Sequence, residues 1–200
     1  MSVFDLSKYQ PENRIDDLVA AGNCDGVILK LAEPTEDKDI IMDPKFITHV
    51  NKAAEYGLPY GIYFMSRAEN ADEFLNEAQY INDQIYTYLN SQMPNLGVWL
   101  DLERKEVIRP DVWQDVLPAI QIMQSWWSTK HVGIYASRYY FTDYLDVDQM
   151  IENQIPAWVA DYHSDMNILQ EQYPQLNVVL WQFTTNGNIQ DENYWYGFQF

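Results

Sequence analysis

The chain has 200 residues, 47% of them hydrophobic, which suits one globular domain spanning residues 1–200 with a core that needs no staple. Thirty acidic against twelve basic residues give a net charge of −18, and no Lys/Arg run breaks the trend, so nucleic acid is excluded as a partner by repulsion. No apolar stretch of about 18 residues is present to span a membrane, Met1–Asp5 lacks the basic and apolar regions of a signal peptide, and the single cysteine, Cys24, allows no internal disulfide.

Short apolar runs alternate with longer amphipathic stretches. Val3–Leu6 reads as a strand, Ile15–Ala21 as a helix with Asn13 as its cap, and Gly26–Leu31 as a buried strand. Pro44–Tyr56 is helical, with Phe46, Val50, Ala53 and Ala54 on one face and Gly57 ending it. Tyr60–Met65 is the next strand. Ala71–Leu89 is a long helix carrying Phe74, Ala78, Ile81 and Ile85 at helical spacing, and Gly97–Leu102 is a strand. Val112–Ser128 is a helix opened by Pro110-Asp111, which Pro118 should bend or in which it should mark the true start. Val132–Ala136 is a strand. Beyond it the rhythm weakens: Tyr144–Ile151 reads as a short helix, Ala157–Ala160 and Val178–Phe183 as strands, and Ile189 falls in a last short strand. No linker or repeat divides the chain.

Continuous apolar strands separated by helices imply a parallel sheet covered on its outer side. Eight candidate strands, of which about five carry a helix, predict an α/β fold: an irregular TIM-like (β/α) barrel. An open doubly wound sheet is the alternative. Against it, Asp5-Leu6-Ser7-Lys8 stands where a glycine-rich phosphate loop would follow the first strand.

In such barrels the chemistry lies at the C-terminal ends of the strands. Here those ends carry Asp5, then Lys30 and Glu33, Tyr63, Asp101 and Glu103, Tyr135, Asp161 with Tyr162, Gln182 and Asp191. Closure would gather them into one cup rich in acid and aromatic groups. Asp101-Leu102-Glu103 is the sharpest element, since residues two apart in a strand face the same side. Two close carboxylates cannot both ionise easily, and a protonated carboxyl beside an ionised one is what glycosidic cleavage requires. The bland reading is a solvated D-x-E at a strand end. The three histidines are scattered, no G-x-S-x-G exists, and no metal or cofactor is expected. The abundance of Tyr and Trp fits either core packing or sugar stacking.

These residues resemble glycoside hydrolase family 25, the Chalaropsis-type lysozymes. The similarity runs in order through Phe4–Gln10, Val27–Glu33, Pro59–Phe64, Val98–Glu103, Val132–Ser137, Pro156–Tyr162, Leu180–Phe183 and Gly187–Asn193, the last with a D-x-N at Asp191-Glu192-Asn193. Two positions depart from the pattern: Pro34 follows Glu33 where glycine is usual, and Gln190 separates Ile189 from Asp191. The resemblance implies an N-acetylmuramidase with Glu103 as general acid, Asp101 as its carboxylate partner, and Asp5 and Asp191 completing an acidic ring. Lys30, Glu33, Tyr63, Tyr135, Trp158, Asp161, Tyr162 and Gln182 would bind substrate. Trp158 and Trp181 could equally be core residues, and Tyr162 is the safest groove residue. The expected partner is the glycan strand of bacterial peptidoglycan, met by a monomeric catalytic domain at the cell wall, as in a phage endolysin. A separate wall-binding module is expected in a full-length protein. A chitinase-like hydrolase and a non-catalytic glycan-binding module are the alternatives. The first lacks its upstream aspartates here, with Asn95-Leu96-Gly97-Val98 in their place, and the second should have lost one member of the acidic pair.

Overall fold

A computed structural model describes residues 1–163, 167–185 and 191–198. In chain order its elements are β1 (Ser2–Leu6), α1 (Arg14–Ala20), β2 (Gly26–Pro34), β3 (Ile40–Met42), α2 (Phe46–Glu55), β4 (Tyr60–Met65), α3 (Ala71–Tyr88) and β5 (Val98–Asp101). Then follow α4 (Val112–Trp127), β6 (Val132–Ser137), α5 (Arg138–Asp143), α6 (Val147–Glu152), β7 (Ala157–Ala160), α7 (Ile168–Gln172), β8 (Val178–Thr185) and β9 (Asp191–Trp195).

The sheet runs β1-β9-β8-β7-β6-β5-β4-β2, and β1 also pairs with β2, so eight strands close into a barrel with β3 hung on the outside edge of β2. The neighbours β1/β2, β2/β4, β4/β5, β5/β6, β6/β7 and β7/β8 are parallel. β9 is antiparallel to both β8 and β1, the one departure from parallel pairing among the eight barrel strands described. The cause is connection length. Only residues 186–190 separate β8 from β9, and a parallel crossover needs about a dozen residues or more. Ile189 lies outside the described residues, as does most of the Gly187–Asn193 segment.

Period-two alternation decides what faces outward and what faces the lumen. Val98, Leu100 and Leu102, with Ile134, Ala136, Ala157 and Val159, pack outward against the helices. Their neighbours Trp99, Tyr135 and Trp158 point inward with Val3, Ile28 and Leu180. Two tryptophans meet edge to face in the lumen, Trp99 and Trp158, with ring centroids 6.0 Å apart. Phe198 closes the lower end, stacked between Trp99 and His131.

The helices follow their sequence signals with some adjustments. Asn70 caps α3 by accepting from the Glu73 amide at 3.0 Å, whereas Asn13 makes no side-chain cap to α1. Pro118 lies inside α4 rather than at its start. Seven helices are present among the described residues, and α5, α6 and α7 have only six, six and five residues. None of the described helices is long and apolar enough to cross a membrane.

Candidate active site

The upper layer of the lumen is polar. Asp5 and Asp191 sit opposite each other in the β1–β9 ladder, and Gln182 sits opposite Asn193 across β8–β9. Asp101 is in register with Met65 on one side and Tyr135 on the other, and Tyr135 with Trp158. Together with Tyr63, Glu103 and Tyr162, all of these side chains but the fully buried Asn193 line a pocket of about 210 Å³ at the C-terminal ends of the parallel strands. Trp158 forms its floor, buried, with the Tyr135 ring 4.4 Å and the Tyr63 ring 6.1 Å from its own.

One hydrogen-bond network ties the layer together. The Tyr135 hydroxyl donates to Gln182 Oε1 at 2.8 Å, and the Tyr162 hydroxyl donates to the same oxygen. Gln182 Nε2 donates to Asp5 Oδ2 at 2.9 Å, as does Asn193 Nδ2 at 2.9 Å. Trp158 Nε1 in turn donates to Asn193 Oδ1 at 2.7 Å, which fixes the amide orientation of Asn193. Burial and the facing charge of Asp191 raise the Asp5 carboxyl, its two amide donors pull it back, and it settles at about 7.

The acidic pair differs in setting. Asp101 is the last residue of β5 and only 2% exposed. Its Oδ1 is buried without a hydrogen-bond partner. Burial first, and then the charge of Glu103, push its carboxyl well above the usual range, with Lys30 opposing. Glu103 lies two residues beyond the strand, at the solvent-exposed mouth of the pocket. The ladder continues far enough to orient it, since the Leu102 amide donates to the Tyr135 carbonyl at 2.9 Å. Partial desolvation of its carboxyl raises Glu103 as well, against the pull of Arg104 and Lys30.

Three of the expected residues stand outside this pocket. Asp161 is turned away and ion-paired to Arg138 at 2.8 Å. Lys30 and Glu33 line an adjoining pocket of about 340 Å³ instead. Lys30 bridges the two, since its ammonium lies 3.8 Å from Met65 Sδ and 3.1 Å from Glu33 Oε2. Trp181 packs with Phe183 and Tyr194 and donates to the Asp161 carbonyl, away from the pocket. Tyr162 lines the pocket and is exposed.

Sequence reasoning left out Asn193, although Asp191-Glu192-Asn193 carries the signal, because alternate residues of a strand share a face. It also left out Met65, two residues beyond Tyr63 on the same face, and Lys8, Arg67 and Arg104 of the adjoining pocket. Among the described residues no group of three or more His, Cys, Asp or Glu side chains is placed to hold a metal ion.

A family model for glycosyl hydrolases family 25 matches residues 4–192. The chain belongs to this family. Glycosidic hydrolysis is the class of chemistry that the family's name gives, and the closed, irregular barrel is the family 25 fold. A search of curated proteins by sequence gave no match. Among solved structures, the modular autolysin LytC from Streptococcus pneumoniae superposes with a TM-score of 0.78 at 19% identity, covering 98% of this chain and 46% of that one. The catalytic domain of endolysin ply40 from bacteriophage P40 of Listeria monocytogenes gives 0.72 at 20%, covering 96% and 91%. A muramidase from Acremonium alcalophilum gives 0.74 at 18%, covering 98% and 94%. At these identities the likeness is one of fold. This family 25 chain spans less than half the length of the autolysin.

Proposed function

We propose that the chain hydrolyses the β-1,4 bond between N-acetylmuramic acid and N-acetylglucosamine in bacterial peptidoglycan, with Glu103 as general acid and Asp101 as its carboxylate partner. The observation that carries this reading is the buried, unpartnered Oδ1 of Asp101 beneath an acid at the pocket mouth. A buried acceptor without a donor costs free energy, and such a group calls for a partner. The N–H of a 2-acetamido group is a donor of the right kind, and this sugar pair carries one on each ring. In the empty pocket, burial draws a shared proton toward Asp101. An N–H donated to Asp101 favours its anion, so the proton moves to Glu103, which faces the leaving oxygen.

The acetamido oxygen then attacks the anomeric carbon while the C–O bond to the leaving sugar breaks and takes the Glu103 proton. Anionic Asp101 stabilises the positive charge on the cyclic oxazoline-type intermediate. Water opens that ring and gives its proton to Glu103, which restores the acid, and two inversions leave the configuration retained. One observation favours a second route. Asp5, at about 7, is matched to serve as a base for a water attacking directly, although its Oδ2 already accepts from Gln182 and Asn193.

An early proton NMR time course on soluble glycan decides between them. Retained product, inhibition by a thiazoline analogue and a loss of roughly 10²–10³-fold in Asp101→Asn are expected. An inverted first product refutes substrate assistance. The chain acts in this reading as one monomeric catalytic domain at the bacterial wall. At a net charge of −18 it has no electrostatic hold on an anionic wall, so a separate wall-binding module in a longer protein would supply attachment.

A further inference from the structure

The pocket beside the acidic site has the opposite electrostatic character. Lys8, Lys30, Arg67 and Arg104 line it, so four of the chain's twelve cations converge on one cavity of a protein with net charge −18. Their internal counter-ions are too few. Glu33 alone receives Lys8 at 2.9 Å, Lys30 at 3.1 Å and Arg104 at 3.1 Å. The cations around Glu33 outweigh its burial and hold its carboxyl down at about 2, so it stays ionised among them. Asp43, the other acid in the wall, accepts from the backbone amides of Lys8 at 2.8 Å and Lys45 at 2.9 Å and also faces the Lys8 charge. Arg67 is held by Glu106 at 2.6 Å. Four cations against the three carboxylates of Glu33, Asp43 and Glu106 leave positive charge in surplus, and Lys30 contributes it from an almost fully buried position.

The cavity adjoins the catalytic pocket across a single side chain. Met65 lines the acidic pocket, and Arg104 Nε, on the residue after Glu103, lies 2.9 Å from its sulfur. The β2–β3 hairpin builds the outer wall, where Ile41 and the 75% exposed Tyr9 offer apolar surface beside the charge. Guanidinium and ammonium groups around a cavity of about 340 Å³ match an oxyanion with a short apolar attachment. Resting on the glycan reading above, we propose that this pocket is an anion subsite that holds a carboxylate or phosphate carried by the glycan next to the bond being cut. It fixes the register of the strand over Glu103 and makes the enzyme select substituted, charged glycan.

The test compares kcat/KM on peptide-bearing glycan strands with the same strands after every carboxylate is capped as a methylamide. Wild type is expected to favour the charged strand by about tenfold, through KM, with a preference that shrinks as ionic strength rises. The Lys8→Gln/Arg67→Gln double variant should lose that preference while cleaving the capped strand within about twofold of wild type. A charge reversal, Lys8→Glu, should turn the preference toward the capped strand. Equal loss on both strands, or a wild type that distinguishes neither charged from capped strands nor walls before and after removal of their phosphate polymers, overturns the subsite. Cleavage of neither strand by wild type overturns the glycan reading itself instead. Walls treated with hydrofluoric acid, which removes phosphate polymers, identify the source: a loss of kcat/KM on capping belongs to a carboxylate, and a loss on removal of the phosphate polymers, with capping neutral, belongs to a phosphate.

Discussion

Glu103 and Asp101 share a strand end but not an environment, and the difference underlies the roles proposed for them. Glu103 stands at the mouth, where a leaving oxygen can reach it, while Asp101 is enclosed with an oxygen that lacks a donor. Glu103→Gln keeps the shape and removes the acid, so cleavage of soluble glycan should fall roughly 10²–10⁴-fold with an unchanged circular dichroism spectrum. Activity near wild type in that variant contradicts the assignment. Asp5 makes a separate prediction about stability. Its folded value of about 7 lies above the usual carboxylate range, so between about pH 4 and pH 7 the folded state binds more protons than the unfolded chain, and stability is lost as pH rises through that window. Asn at this position can still accept from Gln182 and Asn193 and carries no charge against Asp191. The melting temperature of Asp5→Asn should therefore exceed wild type at pH 8, by on the order of 5 °C, with the gap closing at pH 4. A gap that is constant with pH, or reversed, removes Asp5 as the buried raised acid.

At the scale of elements, strand alternation is what turns eight apolar runs into a site. Each run that faces helices on one side and lumen on the other brings its terminal polar residue over the pocket. That is why Asp5, Tyr63, Asp101, Tyr135 and Gln182 could be placed from sequence. Other features left no trace of that kind. β3 has three residues behind a charged turn, and α5 and α7 are too short for periodicity to register. The direction of β9 depended on a connection length that no hydrophobic pattern encodes. Asp161 occupies a strand end like the others, but Arg138 at the start of α5 draws it away. Packing in the lumen can be tested at β6. A Cβ on Gly133 would clash with the Pro156 carbonyl and lie 2.8 Å from the Trp99 ring. Because backbone cannot yield as a flexible side chain does, Gly133→Ala should cost about 1–3 kcal/mol in denaturant unfolding. A variant as stable as wild type would mean that β6 and β7 sit farther apart than described.

The whole molecule divides its charge unevenly. The acidic surface repels polyanions at large, yet the barrel gathers Lys8, Lys30, Arg67 and Arg104 from four separate segments beside the acidic pocket. The four lie far apart along the chain and only Lys30 was named from sequence, so the pocket took shape only when β1, β2, β4 and β5 closed side by side. The resulting surface pairs an acid at the bond with cations one side chain away, an arrangement suited to a glycan that carries its own negative charge. The central claim is the identity of the bond. Mass spectrometry of peptidoglycan digested to completion and reduced with borohydride shows which sugar carries the new reducing end. The account predicts reduced N-acetylmuramic acid at every new terminus; reduced N-acetylglucosamine there would contradict it.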